Sequence, residues 1–293
     1  MDKPRSRLVA VDPTATRHPA VERARQLALA FDARVELFVC YQPQLRPDLR
    51  VDERVLERIA NGLREQGIET TTSESCSPAI HLGIVEKVAQ SQPSLVIKDA
   101  HPHSLLRRTV LANTDWQLVR TCPAPLLFVR DSASGKTGRI AAAVDVALPG
   151  EKPAQLDHLL LSLAEMFAVA LKSELHAVHA WQPMMEPVLR DVSNAAHALL
   201  PRGPGAGQEA EQVHRRLDEL YTGHPVSPER RHLLRGAPEE ALVKFVREHQ
   251  IDLLVMGTYS RGWMYNVFVG STTERLLEYL PCDVLVVRPS RVP

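Results

Sequence analysis

The groups best placed to hold a phosphate lie in the run Gly257-Thr-Tyr-Ser260-Arg261-Gly-Trp-Met-Tyr-Asn-Val-Phe-Val-Gly270-Ser271-Thr272-Thr273. Gly257 follows an apolar run ending at Met256. A glycine there lets the chain turn off a strand and lets backbone approach a ligand closely. Gly270, Ser271 and Thr272 open a helix-period segment over 274–280. The first N–H groups of a helix lack internal partners, and together with the helix dipole they favour an anion. Ser271 and Thr272 add hydroxyl donors, so the run offers a cradle for a di- or triphosphate. The plainer alternative is a strand-to-helix connection, although loops of this length inside a compact domain are usually functional or disordered.

A cradle of this kind needs a strand end to carry it, and the chain supplies that frame twice. Arg7-Leu-Val-Ala-Val-Asp12 is an apolar run ending in an acid, and Arg139-Ile-Ala-Ala-Ala-Val-Asp145 repeats the phrase. Each is followed by a turn-prone stretch and a helix-period segment. Val21, Ala24, Leu27, Ala28 and Phe31 share a face in the first copy; Leu156, Leu159, Leu160, Leu163, Phe167 and Ala170 do so in the second. Second strands follow at Arg34–Tyr41 and Glu174–Trp181, then polar helices over 53–66 and 209–221. Each half continues with a weaker strand, a helix introduced by Pro78 or Pro238, and a strand at 94–98 or 252–256. A last helix and strand close it, the strands at 126–130 and 284–288. Such alternation argues for parallel βαβ units.

The predicted fold class is therefore α/β, with two Rossmann-like doubly wound domains in tandem, each an open five-stranded parallel sheet. Residues 1–131 form the first, 132–138 a polar glycine-bearing linker, and 139–293 the second. The surplus length of the second copy, over 187–208, carries Leu199-Leu-Pro-Arg-Gly-Pro-Gly-Ala-Gly207 and reads as a loop or lid. In doubly wound sheets ligands bind beyond the carboxyl ends of the strands, where the strand order reverses. That rule directs attention to the segments after the first and fourth strands.

The segment after the second copy's fourth strand resembles the nucleotide-binding signature of the universal stress protein family, Gly-x2-Gly-x9-Gly-(Ser/Thr). Gly257, Gly270 and Ser271 match it, while Ser260 replaces the middle glycine. The resemblance covers nearly the whole chain, twice. It implies ATP or a related nucleotide as ligand, with Mg2+ as the accompanying cation. Asp145 takes the place of the acid that contacts the ribose, and a backbone contact to the base falls near Ala180. Met256 and Arg261 lie beside the matched positions and join Gly257, Ser260, Gly270, Ser271 and Thr272 as expected contacts. The resemblance also implies pairing of the two halves through their last strands, and a role in stress resistance. Asp145 and Asp12 have a simpler reading as turn caps after their strands.

Aligning the last strands of the two copies places Asp99 opposite Gly257, Pro102 opposite Ser260, Ala112 opposite Gly270 and Asn113 opposite Ser271. The first half thus lacks every glycine of the pattern and puts a negative charge where phosphates belong. It is expected to serve as a structural partner or as a site for something else.

Composition narrows the partners. The 293 residues are 44% hydrophobic and 24% charged, with Lys+Arg and Asp+Glu both at 35. Zero net charge argues against nucleic acid, whose partners usually carry a basic excess. The longest apolar stretch, over 159–170, contains Glu165 and is too short to span a bilayer. With no targeting segment visible, a cytoplasmic location is expected. Cys40, Cys76, Cys122 and Cys282 show no CxxC or zinc-finger spacing and read as structural. Among twelve histidines, His101 and His103 lack a visible third ligand, and alternation sends His176 and His179 to opposite faces of a strand. No metal site is expected. No nucleophile elbow or P-loop lysine motif occurs, so any ATP hydrolysis is expected to be slow.

The expected function is a stress-response regulatory protein with nucleotide in its second half, unidentified protein partners and further pairing of the tandem into a homodimer. The competing reading is an interaction scaffold with both sites degenerate. A nucleotidyl transferase would need a lysine or histidine near the phosphates, and none is visible.

Overall fold

The apolar runs become strands and the helix-period runs become helices, in the expected order. A computed structural model of the chain describes residues 6–42, 53–100, 111–131, 138–146, 155–181, 206–258 and 276–288. The first half is β1 (Ser6–Ala10), α1 (Pro19–Phe31), β2 (Arg34–Tyr41), α2 (Glu53–Arg64), β3 (Thr70–Cys76), α3 (Ile80–Ser91), β4 (Leu95–Asp99), α4 (Leu111–Thr121) and β5 (Leu126–Val129). The second is β6 (Arg139–Ala143), α5 (Leu156–Leu171), β7 (Glu174–Trp181), α6 (Ala206–Tyr221), β8 (Arg231–Arg235), α7 (Pro238–Glu248), β9 (Leu253–Gly257) and β10 (Asp283–Val287). A helical stretch at 276–279 precedes β10. Helix α6 takes in 206–208, which the sequence assigned to the surplus loop; the rest of that loop and the residues 132–137 lie outside the described residues.

The two halves share one ten-stranded sheet ordered β3-β2-β1-β4-β5-β10-β9-β6-β7-β8. Pairing is parallel within each half, as with β1·β2, β1·β4, β6·β7 and β6·β9. At the centre β5 and β10 run antiparallel, with Phe128 opposite Val284 and Leu126 opposite Val286. Joining the last strands removes one open edge from each half, which would otherwise present unpaired backbone groups.

The repeat extends to backbone detail. The helices α1 and α5 end on Asp32 and Lys172, both left-handed, at φ of 48° and 53°. Gln92 after α3 and Gln250 after α7 are left-handed too, at 45° and 50°. These are residues with a Cβ in a region that favours glycine, so the turns are held by the packing around them.

Two apolar layers, one on each sheet face, run through both halves. One carries Leu27, Leu37, Leu160 and Phe167; the other carries Phe38, Phe128, Phe245 and Leu254. Across the join Phe31 meets the edge of Phe167 at 5.5 Å. The buried Arg23 pairs with the buried Asp283 at 2.7 Å, and Asp283 Oδ1 accepts from the backbone N–H of Arg130 at 2.9 Å. Burial raises the Asp283 carboxyl while Arg23 pulls it back. The expected apolar face of α1 omitted Arg23, and the expected face of α5 included Leu159, which is 39% exposed. All four cysteines are free thiols; Cys40, Cys122 and Cys282 are buried, whereas Cys76 is exposed.

Candidate nucleotide-binding site

The site sits where the crossovers change direction. From β6 the chain winds outward through β7 to β8, then returns to the other side of β6 as β9. The carboxyl ends of β6 and β9 are adjacent, with Ala143 opposite Met256, so a crevice opens there by topology alone. Asp145 leaves the end of β6, Met256 and Gly257 close β9, and Ala180 lies near the end of β7. Four of the nine expected contacts are therefore brought around one switch point. Ser260, Arg261, Gly270, Ser271 and Thr272 lie outside the described residues.

Asp145 is held from its backbone and presents its carboxylate outward. Its N–H donates to Oδ1 of the buried Asp157, in the first turn of α5, at 3.1 Å. Its own side chain is 49% exposed. His179, buried on β7, lies 3.0 Å through Nδ1 from the carbonyl of Val144. A carbonyl can only accept, so Nδ1 carries the proton, and that nitrogen is 4.0 Å from Asp145 Oδ1. The strand-face argument separated His179 from His176 correctly, but it did not anticipate this role behind Asp145. Arg216 of α6 reaches the carbonyl of Val146 at 3.4 Å, closing the loop from the other side.

Gly257 has a reason beyond ligand approach. It is still in β9, paired with Val287. A Cβ there would meet Leu156 Cδ2 at 3.0 Å and Leu160 Cδ1 at 3.4 Å. Glycine lets α5 lie close against the strand end, which places the helix start and Asp157 beneath Asp145. The sequence attributed this glycine to a turn; the structure adds a packing contact that no local pattern could reveal. Ala180, opposite Leu234 of β8, packs against the apolar layer that includes Cys40 and Phe128.

The matching positions of the first half are occupied by internal bonds. Asp12 Oδ1 accepts from the N–H and hydroxyl of Thr14, at 2.8 and 2.7 Å, which is the turn-capping role. Asp99 is buried and accepts from the N–H of Ala20 at 2.6 Å. Its carboxylate is itself the anion at the start of α1. Lys98, beside it, pairs with Asp115 at 2.8 Å, both nearly buried. No helix among the described residues is long and apolar enough to cross a membrane.

Two doubly wound halves, one with Gly257 and one with the buried Asp99 at the end of its fourth strand, define a tandem α/β protein built on a repeated fold. The chain belongs to the universal stress protein family, which matches residues 5–130 and 137–288. It is 28% identical to universal stress protein E of Salmonella typhi over 220 residues, covering 70% of this chain and 64% of that protein's length. It is 25% identical to universal stress protein E of Photorhabdus laumondii over 305 residues, covering 96% of this chain and 94% of that protein. A solved structure from Pseudomonas aeruginosa PAO1, of a protein of unknown function, shares the fold with a TM-score of 0.77 at 24% identity, covering 98% and 93% of the two chains.

Proposed function

We propose that the chain is a cytoplasmic stress-response regulatory protein that binds ATP, or a related nucleotide, in its second half. The observation that carries this reading is the contrast at the two switch points. Asp145 offers a half-exposed carboxylate beside the glycine end of β9, whereas the matching strand end of the first half carries the buried Asp99, which accepts from the N–H of Ala20. A carboxylate there can accept hydrogen bonds from a ribose diol. Gly270, Ser271 and Thr272 would receive the phosphates, and a bound Mg2+ would balance their charge. Residues 139–293 would form the nucleotide-binding domain and 1–131 its structural partner. Occupancy would alter the shape or partners of the tandem rather than drive turnover, and pairing of two such chains is part of the same reading.

Calorimetric titration of the full chain with Mg-ATP tests it, on the wild type, Asp145→Ala and Gly270→Val. Saturable binding in the wild type, weakened at least about tenfold by losing a charged hydrogen bond in Asp145→Ala and abolished in Gly270→Val, is the expected result. No binding to a well-folded wild type would replace this reading with the interaction scaffold, in which Gly257 is retained for Leu156 alone.

A further inference from the structure

At the opposite end of the second half from the switch point, three histidines from three separate elements meet. His176 is the third residue of β7, and Val178, two residues on, pairs with His232 of β8. His176 and His232 therefore share the sheet face that α7 covers. Helix α7 runs back across that face, and His249 follows its last residue. One ring nitrogen from each of the three lies within 4.8 Å of the other two. His176 Nδ1 and His232 Nε2 are 3.1 Å apart. The buried Phe245 floors the group, its ring 4.8 Å from that of His232 and 4.5 Å from that of His249.

We propose that His176, His232 and His249 bind one divalent transition-metal ion of the Zn2+ type, separately from any nucleotide. Three imidazoles with solvent at the fourth position are a ligand set suited to such an ion and unsuited to Mg2+ or Ca2+, which take oxygen. Tetrahedral bonds of the usual length separate neighbouring ligand nitrogens by about 3.3 Å, close to the His176–His232 spacing. A ring adjustment at the half-buried His249, on the solvent side, completes the set.

The surroundings fit a ligand role. His176 Nε2 is buried with no hydrogen-bond partner among the described residues, and it faces Glu174 Oε2 at 3.7 Å. When Nδ1 holds the ion, Nε2 carries the proton and points it at that carboxylate, the usual orienting arrangement behind a metal-bound imidazole. Glu174 is held by Arg230 at 2.8 Å and Arg139 at 3.4 Å, so its charge is balanced and its position fixed.

The test uses the full chain, stripped with a chelator and titrated with Zn2+ by calorimetry and with Co2+ by visible absorption. One ion per chain, with the intense absorption of four-coordinate Co2+, is expected. His249→Gln, at the solvent side where folding is least at risk, should weaken Zn2+ by more than the roughly 10–100-fold that an outer-shell change costs. His232→Gln should do the same. His158→Gln removes a second close histidine pair, His158–His224 at 3.0 Å, and should leave affinity unchanged. Absence of stoichiometric binding overturns the proposal, as does binding that is lost in His158→Gln but kept in His249→Gln.

Discussion

The two halves carry different chemistry on nearly the same backbone, and the contrast is sharpest at three equivalent positions. The third residue of the second strand is Glu36 in one half and His176 in the other. Its neighbour on the third strand is Ser73 in one and His232 in the other, each opposite the residue two further along the second strand. The residue before the left-handed helix end is Ser91 in one and His249 in the other. In the first half Glu36 Oε1 accepts from Ser73 at 2.8 Å and pairs with Lys87 at 2.5 Å. Phe245 stands where Lys87 would be. The first half closes this corner with its own ion pair. The second exchanges the cation for an aromatic floor and gathers three imidazoles that satisfy one another only in part. The switch point shows the same asymmetry: Asp99 bonds to the start of α1 in one half, where the other half has Gly257 packed against Leu156. Duplication has kept the frame and varied the groups at its ends, so each half acts as an internal control for the other.

The largest effect should come from the join, where symmetry is also broken. Arg23 and Asp283 form a buried pair between halves, and the equivalent positions hold Leu163 and Pro125. Arg23→Leu leaves Asp283 charged and buried, which should cost about 3–5 kcal/mol in chemical denaturation. Adding Asp283→Asn removes that charge and keeps an oxygen for the Arg130 N–H. The double variant should recover most of the loss. If the single and double variants are equally unstable, the pair is not what registers the two halves.

A second, smaller effect exposes a matched exchange of size. In the first half a Cβ on Gly83 would run into Cys40 Sγ, with Ser77 Cβ a further 3.1 Å neighbour. The second half places Ala241 and Ala180 at the equivalent positions. Gly83→Ala should therefore destabilise by about 1–3 kcal/mol through overpacking. Cys40→Ala combined with Gly83→Ala copies the second half and should restore or exceed wild-type stability, since alanine also favours helix. Thermal unfolding of the three proteins decides it; a harmless single variant would show that α3 shifts freely.

These pairings explain what the sequence could and could not disclose. The strand phrases Arg7–Asp12 and Arg139–Asp145 and the helix faces of α1 and α5 are local, so periodicity exposes them and fixes the α/β class. The family signature adds the strand order and the join. The histidine group is invisible locally, because His176, His232 and His249 lie 56 residues apart in the case of its hydrogen-bonded pair and meet only through the β7–β8 register. Reading along one strand compared His176 with His179, when the relevant neighbour was across the ladder. Gly257 shows the same limit: its sequence context offers a ligand, and only the tertiary contact with Leu156 adds the packing reason. The buried Arg23 is hidden for a third reason, since an arginine on an otherwise apolar face reads as solvated until Asp283 is brought beside it.

The smallest expected effect separates sealing from lost binding in the first half. Asp99 accepts from the Ala20 N–H at the start of α1, so Asp99→Ala should cost about 0.5–2 kcal/mol, as removal of a helix cap does. Asp99→Asn keeps an accepting oxygen and should cost less than the alanine. If the seal is all that keeps the first half from taking a nucleotide, Asp99→Ala would add a second ATP equivalent in calorimetry. The expectation here is that it adds none. Asp12 stays engaged by Thr14, and in the aligned sequences of the two halves Ala112 and Asn113 replace Gly270 and Ser271. A second equivalent would mean that the halves differ by one carboxylate. None, with the stability loss observed, would mean that Asp99 now serves the fold.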